Sequence, residues 1–134
     1  MHVAIVEDDR ATRFLMEQGL QRHGWRTTSF ASPQEAERAL RAAPQAFDAI
    51  VTDHAMPGAT GIDLARALRA IRADLEVILV SGHVSDELRA LAAEAGVARV
   101  LQKRLSVREL CDAIHALLEA PRLRNSGSGL STDD

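Results

Sequence analysis

Short runs of β-branched and apolar residues alternate along this chain with longer segments whose apolar residues recur every three or four positions. The short runs predict β-strands, and the longer segments predict amphipathic helices. The predicted strands cover His2–Val6, Trp25–Phe30, Ala49–Thr52, Glu76–Val80 and part of Val97–Leu101. The predicted helices cover about Arg10–His23, Pro33–Ala43, a segment after Thr60, Asp86–Ala95 and a segment after Ser106. This strict alternation predicts an α/β domain with a doubly wound, five-stranded parallel sheet.

The spacing also predicts which side chains face the core and which face solvent. On the first helix the inward positions are Thr12, Leu15, Met16, Gly19 and Leu20. The arginines of the third helix are interpreted as a solvated face, formed by Arg66, Arg69 and Arg72. Polar residues in the second strand predict a sheet edge, at Arg26, Thr27 and Ser29. Cys111, at the margin of the last helix's apolar stripe, is interpreted as a packing residue.

Length and composition indicate a single globular domain. The 134 residues can bury a hydrophobic core, and a formal net charge of −3 argues against nucleic acid or an anionic membrane as the main partner. No apolar run is long enough to cross a membrane, and one cysteine suits a reducing compartment, so we expect a cytoplasmic protein. The expected boundaries are a domain at residues 1–120 and a disordered polar tail at 121–134.

Polar side chains gather where the predicted strands end. In a parallel sheet the carboxyl ends of the strands open on one edge, and ligands bind there. That edge would carry Glu7, Asp8, Asp9, Asp53, Ser81 and Lys103. Converging carboxylates repel one another, and a hard divalent cation such as Mg²⁺ relieves the repulsion. A cation, a hydroxyl and an ammonium around Asp53 would form a phosphoryl-binding site with that carboxylate as the nucleophile.

Four segments of the chain together resemble those of a two-component response-regulator receiver domain of the CheY-like superfamily. The segments are Val6–Asp9, Thr52–Gly58 with Gly61, Val80–Gly82 and Leu101–Lys103. Each segment alone is unspecific, but their order and spacing are highly specific, and the resemblance extends over about residues 2–119. It implies a flavodoxin-like receiver fold with strand order 2-1-3-4-5.

The resemblance also implies a role for each site residue. Asp53 corresponds to the phosphoacceptor, Ser81 to the hydroxyl that follows the phosphoryl group, and Lys103 to the ammonium that pairs with it. The implied magnesium ligands are Asp8 directly, Glu7 mainly through water, Asp53, and the backbone carbonyl of Ala55. The implied reaction moves a phosphoryl group onto Asp53 from the phosphohistidine of a histidine kinase or phosphotransfer protein, and the domain then changes conformation. We expect no enzymatic activity beyond self-directed phosphotransfer and autodephosphorylation.

Two positions depart from the family pattern. Arg104 follows Lys103 where the family usually has a proline on a cis bond, and a cis bond without proline costs about 3–4 kcal/mol. The path of the loop from Lys103 to Ser106 is therefore left open. Val100 stands where the family often has a Tyr or Phe rotamer switch, so the signal is expected to leave through loop and fourth-helix movement. Neither departure alters the phosphorylation chemistry.

Other interpretations remain open. A degenerate receiver would bind a partner without being phosphorylated. A magnesium-dependent phosphohydrolase would need a general-acid aspartate where the chain has Ala55, and a nucleotide-binding protein would need a glycine-rich first turn. Asp53, Glu7 or Asp8 could merely cap a helix or a turn, but Lys103 is the only lysine of the chain, and its position at the site weakens that view.

Residues around the site receive simpler interpretations. Asp9 is expected only to cap the first helix, and His54 and His83 are expected to be exposed loop residues that influence the lifetime of an acyl phosphate at most. Phe14, off the inward face of the first helix, is a candidate contact for the kinase. A small apolar face resembles the family's output and dimer surface, which favours a monomer or a weak dimer: Arg89, Ala93, Val100, Ala113 and Ala116.

Overall fold

The computed structural model describes residues 1–97, 99–103 and 106–119. Its strands are β1 (His2–Val6), β2 (Arg26–Phe30), β3 (Ala49–Asp53), β4 (Glu76–Ser81) and β5 (Arg99–Gln102). Its helices are α1 (Arg10–Gln21), α2 (Pro33–Ala42), α3 (Gly61–Ile71), α4 (Asp86–Glu94) and α5 (Val107–Glu119). The strands form one parallel sheet in the order β2-β1-β3-β4-β5, which confirms the expected doubly wound fold. The expected tail at 121–134 and the Lys103–Arg104 bond lie outside the described residues.

The sequences of the strands explain their places in the sheet. The central strand β3 reads AIVTD, and all five of its residues are buried. Its neighbour β4 is buried in all residues after Glu76, as a strand covered on both faces should be. The polar strand β2 lies at an edge, as predicted, and its Arg26 is exposed.

Alternate residues of the sheet face two hydrophobic layers. In β1, Val3 and Ile5 belong to one layer, and Ala4 and Val6 belong to the other. The first layer includes side chains from α1 and α5, among them Met16, Leu20, Leu110, Ile114 and Leu118. The second includes side chains from α2, α3 and α4, among them Leu40, Ile62, Leu68 and Leu88. Helices thus cover both faces of the sheet, and the loops that follow the strands form its carboxyl edge.

Two helices that border this edge begin at side-chain caps. Asp9 accepts the backbone N–H of Thr12 at 2.9 Å and its hydroxyl at 2.7 Å, so α1 starts directly after the acidic loop. These hydrogen bonds hold the pKa of Asp9 below its ordinary value. At α3, Thr60 and Asp63 form a reciprocal capping box. The caps confirm the predicted role of Asp9 and set where each loop ends.

Two predictions from helical spacing are wrong. Leu15 was expected to point inward but is 50% exposed, because α1 turns a narrower face to the core than the spacing suggests. Arg69 and Arg72 do not form a solvated face. The Arg69 guanidinium donates to the carbonyl of Leu75 at 2.8 Å, and that of Arg72 donates to the carbonyl of Phe47. Main-chain carbonyls in loops need donors, and long arginine side chains reach them.

Helices α1 and α5 approach closely at Gly19. A Cβ added at Gly19 would lie 2.5 Å from Sγ and 2.9 Å from Cβ of Cys111. Cys111 is fully buried at this contact, with its Sγ 3.7 Å from the carbonyl of Met16. Burial raises the pKa of the Cys111 thiol to about 11, which favours the neutral form. The contact therefore agrees with the packing role predicted for Cys111 and explains why a residue without a side chain stands opposite.

We expect Gly19→Ala to lower the free energy of unfolding, because the added methyl group overpacks the contact with Cys111. Because the added Cβ would lie within 3.0 Å of two atoms of Cys111, the overpacking cost should fall in the upper part of the usual range, at about 2–3 kcal/mol. The better helix propensity of alanine offsets about 1 kcal/mol, so a net loss of about 1–2 kcal/mol is expected. Urea denaturation measures this loss. Gly82→Ala is the control, since an added Cβ there meets nothing within 4 Å. Equal stability of the two variants would contradict a tight contact.

Candidate functional site

Two adjacent strand ends bring three carboxylates together. Glu7 and Asp8 directly follow β1, and Asp53 is the last residue of β3. Because Val6 of β1 is paired with Thr52 of β3, the residues that follow them, Glu7 and Asp53, lie at the same edge of the sheet. One carboxylate oxygen from each acid lies within 4.8 Å of the other two. Glu7 and Asp53 are 2% and 7% exposed, whereas Asp8 is exposed. The structure thus forms an acidic pocket with two buried members and one at its mouth.

Lys103 places an ammonium between the two buried carboxylates. Its Nζ donates to Oε1 of Glu7 at 3.0 Å and to Oδ2 of Asp53 at 3.2 Å. Its backbone N–H donates to the carbonyl of Ser81 at 2.8 Å, so the pairing of β4 with β5 carries the side chain to the site. Burial lowers the pKa of Lys103, but the hydrogen bond to Glu7 and the charges of both carboxylates outweigh it, and the pKa is raised. The lysine is therefore cationic at neutral pH.

Both carboxylate oxygens of Glu7 are engaged by the protein. Oε2 accepts the backbone N–H of Asp9 at 2.9 Å, and Oε1 accepts from Lys103. Burial raises the pKa of Glu7 above its ordinary value of 4.5, and the negative charge of Asp53 adds to the shift. The hydrogen bonds from Asp9 and Lys103 lower the pKa but do not cancel the effect of burial. Glu7 is thus held by the loop that follows it and by the lysine.

Ser81 ends β4 beside this pocket and is 6% exposed. Its hydroxyl donates to the carbonyl of His83 at 2.9 Å and accepts the backbone N–H of His83 at 3.3 Å. The hydroxyl is therefore turned into its own loop. His83 is exposed, as predicted. The role of Ser81 toward a phosphoryl group stays a prediction.

The loop after Asp53 is shaped by His54 and Gly61. The backbone N–H of His54 donates to the carbonyl of Val80 at 2.9 Å, and its carbonyl accepts the N–H of Gly61 at 2.8 Å. A Cβ at Gly61 would lie 2.6 Å from the carbonyl oxygen of Asp53, so only glycine fits this approach. The expectation that His54 is exposed is wrong: its ring is half-buried, and its Nδ1 has no hydrogen-bond partner among the described residues. Ala55 is exposed in this loop, and its role as a carbonyl ligand stays a prediction.

Two residues that support the site were not found from the sequence. The hydroxyl of Thr52, buried in β3, donates to the carbonyl of Asp53 at 3.0 Å. The guanidinium of Arg13 donates to the carbonyl of Glu7 at 2.8 Å. Arg13 was identifiable from the sequence, because a long side chain with hydrogen-bond donors in the first turn of α1 reaches the loop that precedes this helix.

The residues of the pocket fit a hard divalent cation. All three side chains offer carboxylate oxygens, which Mg²⁺ prefers, and the charge of Asp53 adds to the burial that raises the pKa of Glu7. With all three ionised, they exceed the single charge of Lys103 by two negative charges, which a divalent ion would balance. The donor set therefore suits Mg²⁺ in charge and in chemical type.

The sheet order and the carboxylate–lysine pocket define an α/β domain of the CheY-like class. The family model of the response regulator receiver domain matches residues 3–115, and the chain belongs to this family. Members of the family act in two-component signal transduction and are generally not enzymes. Within the described ranges, no helix is both long and apolar enough to span a membrane.

Curated relatives agree with this assignment. The response regulator receiver protein CpdR of Brucella abortus is 30% identical over 118 residues, which cover 88% of this chain and 97% of that protein. The C4-dicarboxylate transport transcriptional regulatory protein DctD of Rhizobium meliloti is 32% identical over 121 residues. That match covers 90% of this chain but only 26% of DctD, so the chain spans about a quarter of this longer relative.

Solved structures share the fold. The non-phosphorylated HemR receiver domain of Leptospira biflexa has a TM-score of 0.81 at 24% identity, over 90% of this chain and 96% of that chain. The Francisella response regulator 1452 receiver domain has a TM-score of 0.75 at 28% identity, over 87% of this chain and 94% of that chain.

In protein freed of divalent cations, we expect Glu7→Gln to change the pH dependence of stability. Folded protein keeps a proton on Glu7 to higher pH than the unfolded chain does, because the pKa is raised from 4.5. Stability contributed by this group therefore falls as pH rises from 4.5 through the folded pKa. The wild type should lose stability relative to Glu7→Gln over this window, as measured by chemical denaturation at several pH values.

Glu94→Gln, on the exposed surface of α4, is the control for this series. The difference in free energy of unfolding between this variant and the wild type should stay constant across the same pH range. If the difference in free energy of unfolding between Glu7→Gln and the wild type is also constant, the pKa of Glu7 is not raised in the folded protein.

Proposed function

We propose that this domain is a phosphoacceptor receiver of a two-component phosphorelay, in which Asp53 accepts the phosphoryl group. One observation carries the proposal: Asp53 is a buried carboxylate at the carboxyl end of the central strand, with the Lys103 ammonium 3.2 Å away and the acids Glu7 and Asp8 beside it. This arrangement supplies a nucleophile, a cation for phosphoryl oxygens and a metal-ligand set in one pocket.

In the proposed reaction a carboxylate oxygen of Asp53 attacks the phosphorus of a phosphohistidine. The oxygen–phosphorus bond forms, the phosphorus–nitrogen bond breaks, and the imidazole keeps the electron pair of that bond. Lys103 would pair with an oxygen of the transferred group, since its ammonium already contacts Asp53. A bound Mg²⁺ would neutralise phosphoryl oxygens during transfer. Its proposed ligands are Asp8, Asp53, Glu7 mainly through water, and the carbonyl of Ala55.

The switch is proposed to use the loop after β4. The Ser81 hydroxyl bonds only within this loop in the described residues, to His83, and those hydrogen bonds can be exchanged for one to a phosphoryl oxygen. The loop and α4 would then move toward Asp53. Val100 has no aromatic ring to flip, so loop and helix movement would carry the signal.

The pocket favours phosphorylation over two of the other candidate functions. A receiver that acts only as a binding module has no need for a complete set of carboxylates and a lysine in mutual contact. A phosphohydrolase would need a general acid two residues after the nucleophile, where the methyl group of Ala55 offers none.

We expect incubation with Mg²⁺ and acetyl phosphate to add the mass of one phosphoryl group to the wild type, and Asp53→Ala to abolish the addition. The reason is that the carboxylate oxygen of Asp53 forms the new bond. Intact mass spectrometry measures it, and omission of Mg²⁺ should also suppress it. Asp74→Ala, an exposed aspartate in the α3–β4 loop, is the matched control and should be modified like the wild type. Equal modification of Asp53→Ala would refute the assignment.

The protein donor is proposed to dock on α1. Phe14 and Leu15, consecutive residues of this helix, are 56% and 50% exposed, and the helix begins at the acidic loop. An exposed aromatic next to an exposed aliphatic side chain is suited to a complementary protein surface. The donor would be a histidine kinase or a phosphotransfer protein.

Phe14→Ala should slow phosphotransfer from the phosphorylated histidine kinases of the source organism about fivefold or more, because a docking anchor is lost. Its rate with acetyl phosphate should stay that of the wild type, since the pocket is intact. Leu91→Ala removes a side chain that is 45% exposed on α4 and serves as the control. Unchanged transfer from every kinase that phosphorylates the wild type would exclude Phe14 as an anchor.

A further inference from the structure

The loop that carries two of the pocket's acids is tied to the first turn of α1 by a guanidinium. The Nη1 atom of Arg13 lies 2.8 Å from the carbonyl oxygen of Glu7 and 3.5 Å from that of Asp8. The side chain of Arg13 is half-buried. These contacts go to the main chain of the acids, so Arg13 does not occupy the carboxylate oxygens that face the pocket.

Other hydrogen bonds described for this loop involve its N–H groups and carboxylates, not the carbonyls of Glu7 and Asp8. The N–H of Glu7 donates to the carbonyl of Phe30 at 3.1 Å, which continues the β1–β2 ladder. The Asp9 N–H is held by the carboxylate of Glu7, and the Asp9 carboxylate caps α1. Within the part of the chain that the structure describes, Arg13 is the side chain that donates to the carbonyls of both Glu7 and Asp8.

We infer that Arg13 is a positioning residue for magnesium, because it fixes the main chain from which the Glu7 and Asp8 carboxylates extend. This inference rests on the proposed function, since it assumes that these acids hold the ion. Hydrogen bonds made directly to metal ligands typically contribute about 10–100-fold to metal affinity, and Arg13, which holds the main chain of the ligands, should fall at the low end of that range. Arg13 acts through the orientation of the ligands and does not itself contact the ion.

The charge of Arg13 predicts the opposite effect, which makes the inference testable. A guanidinium that contacts the acidic loop repels an incoming cation, so its removal would strengthen magnesium binding if charge alone mattered. Removal of a positioning hydrogen bond would weaken binding. Arg10, an exposed residue in the same first turn of α1, carries the same charge and is the matched control.

The experiment titrates Mg²⁺ into the full chain by isothermal calorimetry for the wild type, Arg13→Gln, Arg13→Lys and Arg10→Gln. Arg13→Gln should weaken magnesium binding about tenfold. Arg13→Lys, which keeps a long side chain with a cationic donor, should recover part of the affinity and remains informative if the glutamine variant does not fold. Arg10→Gln should bind as the wild type does or slightly more tightly.

Kinetics with acetyl phosphate provide the second measurement. The Mg²⁺ concentration for half-maximal phosphorylation should rise in Arg13→Gln, while the rate at saturating Mg²⁺ should match that of the wild type. Binding by Arg13→Gln that equals or exceeds that of the wild type would overturn the inference and leave the proposed function intact. A wild type that binds no Mg²⁺ would overturn the proposed metal site and this inference with it.

Discussion

Two buried carboxylates on neighbouring strand ends require a cation, and the site is arranged around that requirement. Glu7 and Asp53 are almost inaccessible to solvent, where an unpaired anion is costly. Lys103, which follows the edge strand β5, reaches both carboxylates and satisfies them with one ammonium. Because three acids face a single lysine, negative charge remains, which a bound divalent ion would balance. The same ammonium is then available to an anionic group bound at Asp53.

The groups of this pocket are held in two different ways. Main-chain hydrogen bonds of the sheet hold Glu7 and Lys103, and close packing of Gly61 holds the backbone after Asp53. Ser81 differs, because its hydroxyl bonds to the backbone of its own loop at His83. A bond of that kind can be exchanged at little cost when a stronger acceptor arrives, whereas the sheet-bound groups keep their places. Such a division suits a conformational switch.

Prediction from sequence succeeded where a periodic pattern or a strand end determined the outcome. The alternation of elements placed Glu7, Asp8, Asp53 and Lys103 at one edge, and the structure brings these four side chains together. Prediction failed where a side chain forms a hydrogen bond to a residue far away in the sequence. Arg72 was interpreted as solvated, yet it donates to the carbonyl of Phe47, 25 residues earlier in the chain. Half-burial of His54 likewise depends on packing around β4 and α3, which no local pattern shows.

Local sequence patterns therefore determined the helices and strands, their caps and the polar edge strand, because hydrophobic periodicity and capping act over a few residues. They also determined which kinds of side chain stand at the strand ends. The strand order was implied only by family resemblance, since periodicity does not say which strands are neighbours. Tertiary structure alone decided that Lys103 bridges Glu7 and Asp53 and that Gly19 must be small opposite Cys111. Each of these depends on distances between atoms that the chain brings together only after the sheet and its two layers have formed.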